Sequence, residues 1–270
     1  MVKKIFRCIL CVFLLSGCEV DILGIFGSND LDERLKHSKD FKFVQEELKK
    51  AQNFGNDYEF LVISDTHIIG QNANGLEGLE GKINGAKFIV VTGDITQSCT
   101  EEEMKRFIEI ASSFSVPVFP VIGNHDIYMG HWPVWRDNIG STKYRIDSSN
   151  TTLIILDSAN AFFGNDQLSW LDEQLDTAKK FTFVFTHTNP FVTAAPEFQQ
   201  QQLTDTRERA RFISILTKNC QALFSGHVHK RVINRVAGIE FVTLENFNGH
   251  KTFCRVHVTP QGFSYSFDSL

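Results

Sequence analysis

Five short blocks of this 270-residue chain combine carboxylate, imidazole and carboxamide side chains in a way that suits metal ions. They are Asp65-Thr66-His67, Gly93-Asp94, Gly123-Asn124-His125-Asp126, His187 and Gly226-His227-Val228-His229. Taken in order, the candidate ligands are Asp65, His67, Asp94, Asn124, His187, His227 and His229. Oxygen and nitrogen donors without a thiolate suit Mn, Fe, Zn or Ni rather than a structural, cysteine-rich zinc site. The set exceeds what one tetrahedral ion needs, whereas two divalent ions sharing one carboxylate would use all of it. Ions paired about 3.5–4 Å apart clamp the attacking and departing oxygens of a phosphoryl transfer and make hydroxide from water near neutral pH. Singly, each block is a weak signal, because such residues also occur in solvated turns or as core histidines bonded to backbone. Their joint placement carries the reading.

Each block follows an apolar run: residues 60–63, 88–91, 119–122, 181–185 and 222–224. Buried strands that stop where ligand-type residues begin would deliver all of them to one sheet edge, and open α/β sheets bind ligands beyond the carboxyl ends of their strands. Thr100 with Glu103 is a capping-box pattern ahead of Met104, Phe107, Ile108 and Ala111, which predicts a helix after the Gly93-Asp94 turn. Further helices are expected over 166–177, with Leu168, Leu171 and Leu175 on one face, and over 205–216. Residues 76–83 are Gly-rich and only weakly helical, and short strands are expected near 144–146, 152–156, 232–236, 239–242, 252–257 and 263–267. Strands and helices alternate first and strands dominate later, the pattern of two β-sheets with outer helices.

The composition, 42% hydrophobic and 22% charged, is that of one soluble globular domain. A net charge of −5 and the lack of a basic run argue against binding a nucleic-acid polymer. The N-terminus differs: Lys3, Lys4 and Arg7 precede an apolar run over 8–15 and then Ser16-Gly17-Cys18. This is a signal peptide over 1–17, too short to span a bilayer as a helix. Leu15-Ser16-Gly17-Cys18 resembles a bacterial lipobox, which implies lipidation of Cys18, a membrane anchor and an extracytoplasmic location. Residues 18–40 read as a tether and 41–270 as the globular domain, beginning with an amphipathic helix that places Phe41, Val44, Leu48 and Ala51 on one face. Cys99, Cys220 and Cys254 give no disulfide framework and read as buried thiols, with one pair left open.

In order and rough spacing the five blocks resemble the calcineurin-like metallophosphoesterases over residues 60–253. Leu156-Asp157-Ser158 and Gln167-Leu168-Ser169-Trp170-Leu171 resemble the bacterial phosphodiesterase branch. The resemblance implies a four-layer α/β/β/α sandwich of two mixed β-sheets flanked by helices. It implies one divalent ion on Asp65, His67 and His229, a second on Asn124, His187 and His227, and Asp94 between them. It makes metal-bound hydroxide the nucleophile, His125 the general acid and Asp126 the group that orients the His125 imidazole. The substrate would be a small phosphoester, a diester rather than a monoester.

Three departures narrow the branch. Gln97 stands where purple acid phosphatases place a tyrosine ligand, Cys99 and Thr100 do not supply the arginine of protein phosphatases, and Thr188 replaces a second histidine after His187. Rival readings are a broad phosphomonoesterase and a non-catalytic surface lipoprotein on the same fold; the latter would be favoured by a missing ligand, and none is missing. His37, His250 and His257 read as surface or strand residues. His131, with Tyr128, Trp132 and Trp135, reads either as pocket lining or as packing, and residues 191–202 are a candidate rim for substrate selection. Oligomeric state has no signature in the sequence.

Overall fold

The structure, a computed structural model, describes residues 31–36, 42–51, 53–191, 202–203 and 205–270. Residues 1–17, read above as a signal peptide, Cys18 and most of the loop 191–202 lie outside the described residues. Eleven strands form two mixed sheets. The first sheet contains β1 (Tyr58–Ile63), β2 (Ala86–Val91), β3 (Val118–Pro120), β10 (Thr252–Val258) and β11 (Phe263–Ser269), in the order β11-β10-β1-β2-β3. The second contains β4 (Tyr144–Ser148), β5 (Thr151–Ile155), β6 (Phe181–Phe185), β7 (Ala222–Ser225), β8 (Val232–Val236) and β9 (Ile239–Thr243), in the order β4-β5-β6-β7-β9-β8.

The strands that precede the ligand blocks are the parallel ones: β1 with β2 and β2 with β3, then β6 with β5 and with β7. Parallel strands are covered on both faces, which explains why they read as continuous apolar runs rather than alternating ones. The inner faces meet through phenylalanines. Phe60 of β1 lies 5.4 Å from Phe183, 6.2 Å from Phe185 and 6.2 Å from Phe224, ring centroid to ring centroid, and stacks on Phe88 at 4.6 Å. A second apolar cluster joins Ile154, Val184 and Leu223 to Leu168, Leu171 and Leu175 of the helix Asn165–Asp176 and to Phe212 and Leu216 of the helix Thr206–Leu216. The helices Phe43–Lys50 and Glu101–Ser113 pack on the first sheet's side, with Phe43 and Phe107 5.9 Å apart.

Thr100 caps the helix Glu101–Ser113 with a complete capping box, because Thr100 accepts from the Glu103 N–H and Glu103 reaches back to the Thr100 N–H. Two features differ from the sequence reading. Glu47, which is not among the residues of the expected apolar face, is buried: its carboxylate accepts from the Val118 N–H at 2.8 Å and pairs with Lys50. The stretch 18–40, read as a tether, carries at its end a helix, Leu31–Lys36, docked on the domain through buried Leu31 and Arg34. The body therefore includes residues ahead of position 41, and the physical reason is a long-range ion pair described below.

Candidate metal centre

Both sheets deliver their ligand blocks to one edge. In the first cluster Asp65, His67, Asp94 and His229 each offer an atom, and in the second Asp94, His187 and His227 do, all atoms of a cluster lying within 4.8 Å of one another. Asp94 belongs to both. His67 Nε2 is 3.3 Å from His229 Nε2 and 3.8 Å from Asp94 Oδ2, and His229 Nε2 is 3.2 Å from Asp65 Oδ1. Across the shared carboxylate, His187 Nε2 is 3.3 Å from Asp94 Oδ2, 3.1 Å from His227 Nδ1 and 3.0 Å from the Asn124 carboxamide oxygen. All seven candidate ligands are thus brought together.

The donor set fits two divalent cations. His67, His187 and His229 turn Nε2, and His227 turns Nδ1, into two clusters of nitrogen and oxygen donors gathered around the buried Asp94 carboxylate. Buried carboxylates and imidazoles this close to one another are the donor set that a divalent cation would satisfy. Two such ions supply Lewis acidity toward a phosphoryl oxygen and an activated water nucleophile.

The charges of the metal-free chain follow from the crowding. Asp94 is held well below the usual carboxylate range: burial opposes this, but the His187 charge and hydrogen bond outweigh it. Asp65 is lowered likewise, the His229 hydrogen bond and the His187 charge overcoming its burial. His187 is raised to about 9, since Asp94 outweighs the loss of solvent, and His229 is raised because its bond to Asp65 does the same. His67 is lowered by burial, and His227 is pushed down to about 4 by burial and then by the His187 charge.

Local backbone geometry aims these side chains. Asp65, His67, Asp94, His227 and His229 all have positive φ, between 43° and 74°. Left-handed backbone at non-glycine residues costs about 1–3 kcal/mol each and collects at functional sites, where the surroundings impose it. Those surroundings are backbone bonds across β1 and β2: the Asp65 N–H donates to Gly93 O at 3.0 Å, and the His67 N–H to Asp94 O at 3.0 Å. The His125 N–H holds Asp94 Oδ1 at 2.8 Å, and His187 Nδ1 donates to Thr92 O at 2.8 Å. Close approach also explains two glycines. A Cβ at Gly123 would overlap the Asp94 backbone and carboxylate, and one at Gly226 would overlap Ser64 and Asp65.

His125 sits beside the cluster, its ring edge-on to that of His67 at 4.7 Å. Its Nδ1–H donates to Gln97 O at 2.7 Å, which leaves Nε2 as the atom able to hold or give a proton. Tyr128 stacks on the ring at 5.3 Å and 10°. Asp126 does not orient this imidazole, which corrects the sequence expectation. Its buried carboxylate accepts from the N–H groups of Gly123, Ile95 and Thr96 and from the Thr96 hydroxyl, so it staples two ligand-bearing loops. Burial, and then the charge of Asp94, raises Asp126 to about 6.

Trp132 and Trp135 are core residues, and His131 Nδ1 donates to Ser98 O at 2.7 Å; of this aromatic group only Tyr128 reaches the site. The Thr188 hydroxyl donates to Ser158 O at 2.8 Å. Sequence reasoning missed the supporting groups Ser158, Thr92 O and Gln97 O. Ser158 had a signal, the Leu156-Asp157-Ser158 block at the end of a strand; backbone carbonyls have none.

A two-sheet edge with paired ligand clusters on a shared carboxylate defines the class of dinuclear metallophosphoesterases. The profile of the calcineurin-like phosphoesterase family matches residues 58–231, and the chain belongs to that family. It is 28% identical over 167 residues to the 3',5'-cyclic adenosine monophosphate phosphodiesterase CpdA of Haemophilus influenzae, covering 58% of this chain and 60% of that protein. It is 25% identical over 227 residues to the glycerophosphodiester phosphodiesterase GpdQ of Enterobacter lignolyticus, covering 73% and 80%. The crystal structure of a dimetal phosphatase from Danio rerio superposes with a TM-score of 0.62 at 14% identity, over 81% of this chain and 99% of that one. The chain spans only about 60% of the length of the Haemophilus relative, and the low identity of the Danio rerio structure extends the likeness to the fold alone.

Proposed function

We propose that this centre hydrolyses small phosphodiesters. Asp65, His67 and His229 would hold one divalent ion and Asn124, His187 and His227 the other, with Asp94 available to both. The observation that carries the reading is the convergence of both ligand clusters on Asp94. His125, fixed through Nδ1 by Gln97 O, delivers a proton from Nε2 to the departing oxygen. Preference for a diester is supported by the phosphodiesterase names of the relatives from Haemophilus influenzae and Enterobacter lignolyticus.

The test is a comparison of bis-p-nitrophenyl phosphate with p-nitrophenyl phosphate after chelation and reloading with Mn²⁺. Activity is expected to vanish on chelation, return on reloading and favour the diester. Faster monoester hydrolysis would replace this reading with a broad phosphomonoesterase, and two bound ions without hydrolysis of either ester would leave a binding protein. We further propose an extracytoplasmic lipoprotein anchored at Cys18, supported by the basic residues Lys3, Lys4 and Arg7, the short apolar run and the Leu15-Ser16-Gly17-Cys18 sequence.

A further inference from the structure

We propose that Arg34, on the short helix ahead of the domain, is a positioning residue for the metal centre. It acts on His187 through Asp157 and Ser158. Arg34 and Asp157 are both fully buried, 123 residues apart in sequence, and form a bidentate pair: Nε to Oδ2 at 2.7 Å and Nη2 to Oδ1 at 3.0 Å. Nη2 also donates to the Asn160 side-chain oxygen at 2.5 Å. A planar fork facing a carboxylate fixes direction as well as distance. Two charges removed from water are tolerated only when their geometry is this complete, so the pair holds whatever backbone carries it.

The backbone it holds is the loop leaving β5 at the ligand edge. The Asp157 carboxylate accepts from the Ala159 N–H at 3.2 Å, so the shape of the loop depends on the same group that Arg34 grips. Between the gripped residues stands Ser158. Its hydroxyl oxygen accepts from the N–H groups of His187 at 3.2 Å and Thr188 at 2.9 Å, and lies 2.6 Å from the Thr186 hydroxyl. The Thr188 hydroxyl returns a bond to Ser158 O at 2.8 Å. The main chain of His187 therefore hangs on Ser158, while its ring is held on the other side by Thr92 O. With the Gly226 N–H, which donates to His187 O at 2.9 Å, these supports set where His187 Nε2 stands against Asp94 and Asn124.

A staple that served only to dock a helix could grip any part of the sandwich. Arg34 instead grips Asp157 and Asn160, on either side of the Ser158 that suspends a ligand. Removing the guanidinium leaves Asp157 buried without its partner, and the 157–160 loop must move to hydrate it or fold around it. Either motion draws Ser158 and His187 with it. Binding of the ion assigned to Asn124, His187 and His227 should weaken, while binding of the ion assigned to Asp65, His67 and His229, none of which bonds Asp157 or Ser158, should not.

This inference rests on His187 being a ligand, and the experiment separates the two. The full chain, stripped with chelator, is titrated calorimetrically with Mn²⁺ as wild type, His187→Ala, Arg34→Ala and Arg34→Lys, with thermal unfolding followed in parallel. Wild type should bind two ions and His187→Ala should lose the second. Arg34→Ala should bind the second ion about tenfold or more weakly, the scale of losses seen when groups supporting a ligand are removed, with the first ion unchanged. Methylguanidine, at concentrations far below those that unfold proteins, should restore the second ion in Arg34→Ala and leave wild type unaffected. Arg34→Lys keeps the charge without the fork and should fall between; it carries the test if Arg34→Ala does not fold. Lower melting with both ions bound as in wild type would make Arg34 a docking staple only and overturn the proposal. Wild-type binding of both ions by His187→Ala would instead remove the ligand reading on which it rests.

Discussion

His125 and Asn124 are neighbours in sequence but differ in what they can do. The Asn124 oxygen points at His187 among the ligand atoms, whereas the His125 ring is tied through Nδ1 to Gln97 O and keeps Nε2 for a proton. His125→Ala should therefore keep both ions while slowing alkyl and ribose esters by about 10²–10⁴-fold. Esters of p-nitrophenol, whose anion departs without a proton, should slow far less. Equal losses for both ester types, measured where chemistry is rate-limiting, would make His125 a charge stabiliser instead. A second prediction concerns His187, which in the metal-free chain is raised from 6.5 to about 9 by Asp94 against the effect of burial. Near pH 7 it carries a proton that an ion must displace. Mn²⁺ affinity of the stripped chain should rise about tenfold per pH unit up to about 9 for that single proton and then level off, as calorimetry in buffers of different ionisation enthalpy would report. The sign for stability is opposite: the same proton stabilises the metal-free fold fully below 6.5, and that contribution is lost as pH rises through about 9.

Between residues and the whole lie the strand-to-loop junctions, and Asp126 shows what they require. It sits in the kinked helical segment His125–Gly130 and accepts four bonds from the loops after β2 and β3. Asp126→Ala would leave buried N–H groups of Ile95, Thr96 and Gly123 without an acceptor, at about 1–3 kcal/mol for each group left unpaired. The loss of unfolding free energy should reach about 3 kcal/mol or more in urea. Thr100→Ala, which removes only the helix cap beside it, should cost about 1 kcal/mol. If Asp126→Ala were no more destabilising than Thr100→Ala, Asp126 would not be the staple described.

At the scale of the molecule, the two sheets share a phenylalanine core and turn the carboxyl ends of β1, β2 and β3 and of β5, β6 and β7 toward one site. Ligands thereby come from both layers, and the ions would join them. No helix among the described residues is long and apolar enough to cross a membrane. Under the anchor proposed at Cys18, Cys18→Ala should block normal maturation and release the protein from membranes, as fractionation and mass spectrometry of the mature N-terminus would show. Normal maturation of that variant would end the lipoprotein reading.

The features legible in the sequence are those produced by local forces. Apolar runs marked β1, β2, β6 and β7 because parallel strands bury both faces, and Thr100 with Glu103 marked a helix start because a capping box is made within four residues. The order of the ligand blocks pointed to the calcineurin-like family, whose profile matches residues 58–231. Tertiary structure alone decided the pairings between distant segments: Arg34 with Asp157, Glu47 with the Val118 N–H, and His125 with Gln97 O rather than with adjacent Asp126. Periodicity reports which face of an element avoids water, and it carries no information about which distant partner a buried charge will find. A backbone carbonyl has the same chemistry at every position, so only the folded chain shows which of them holds the His125 imidazole.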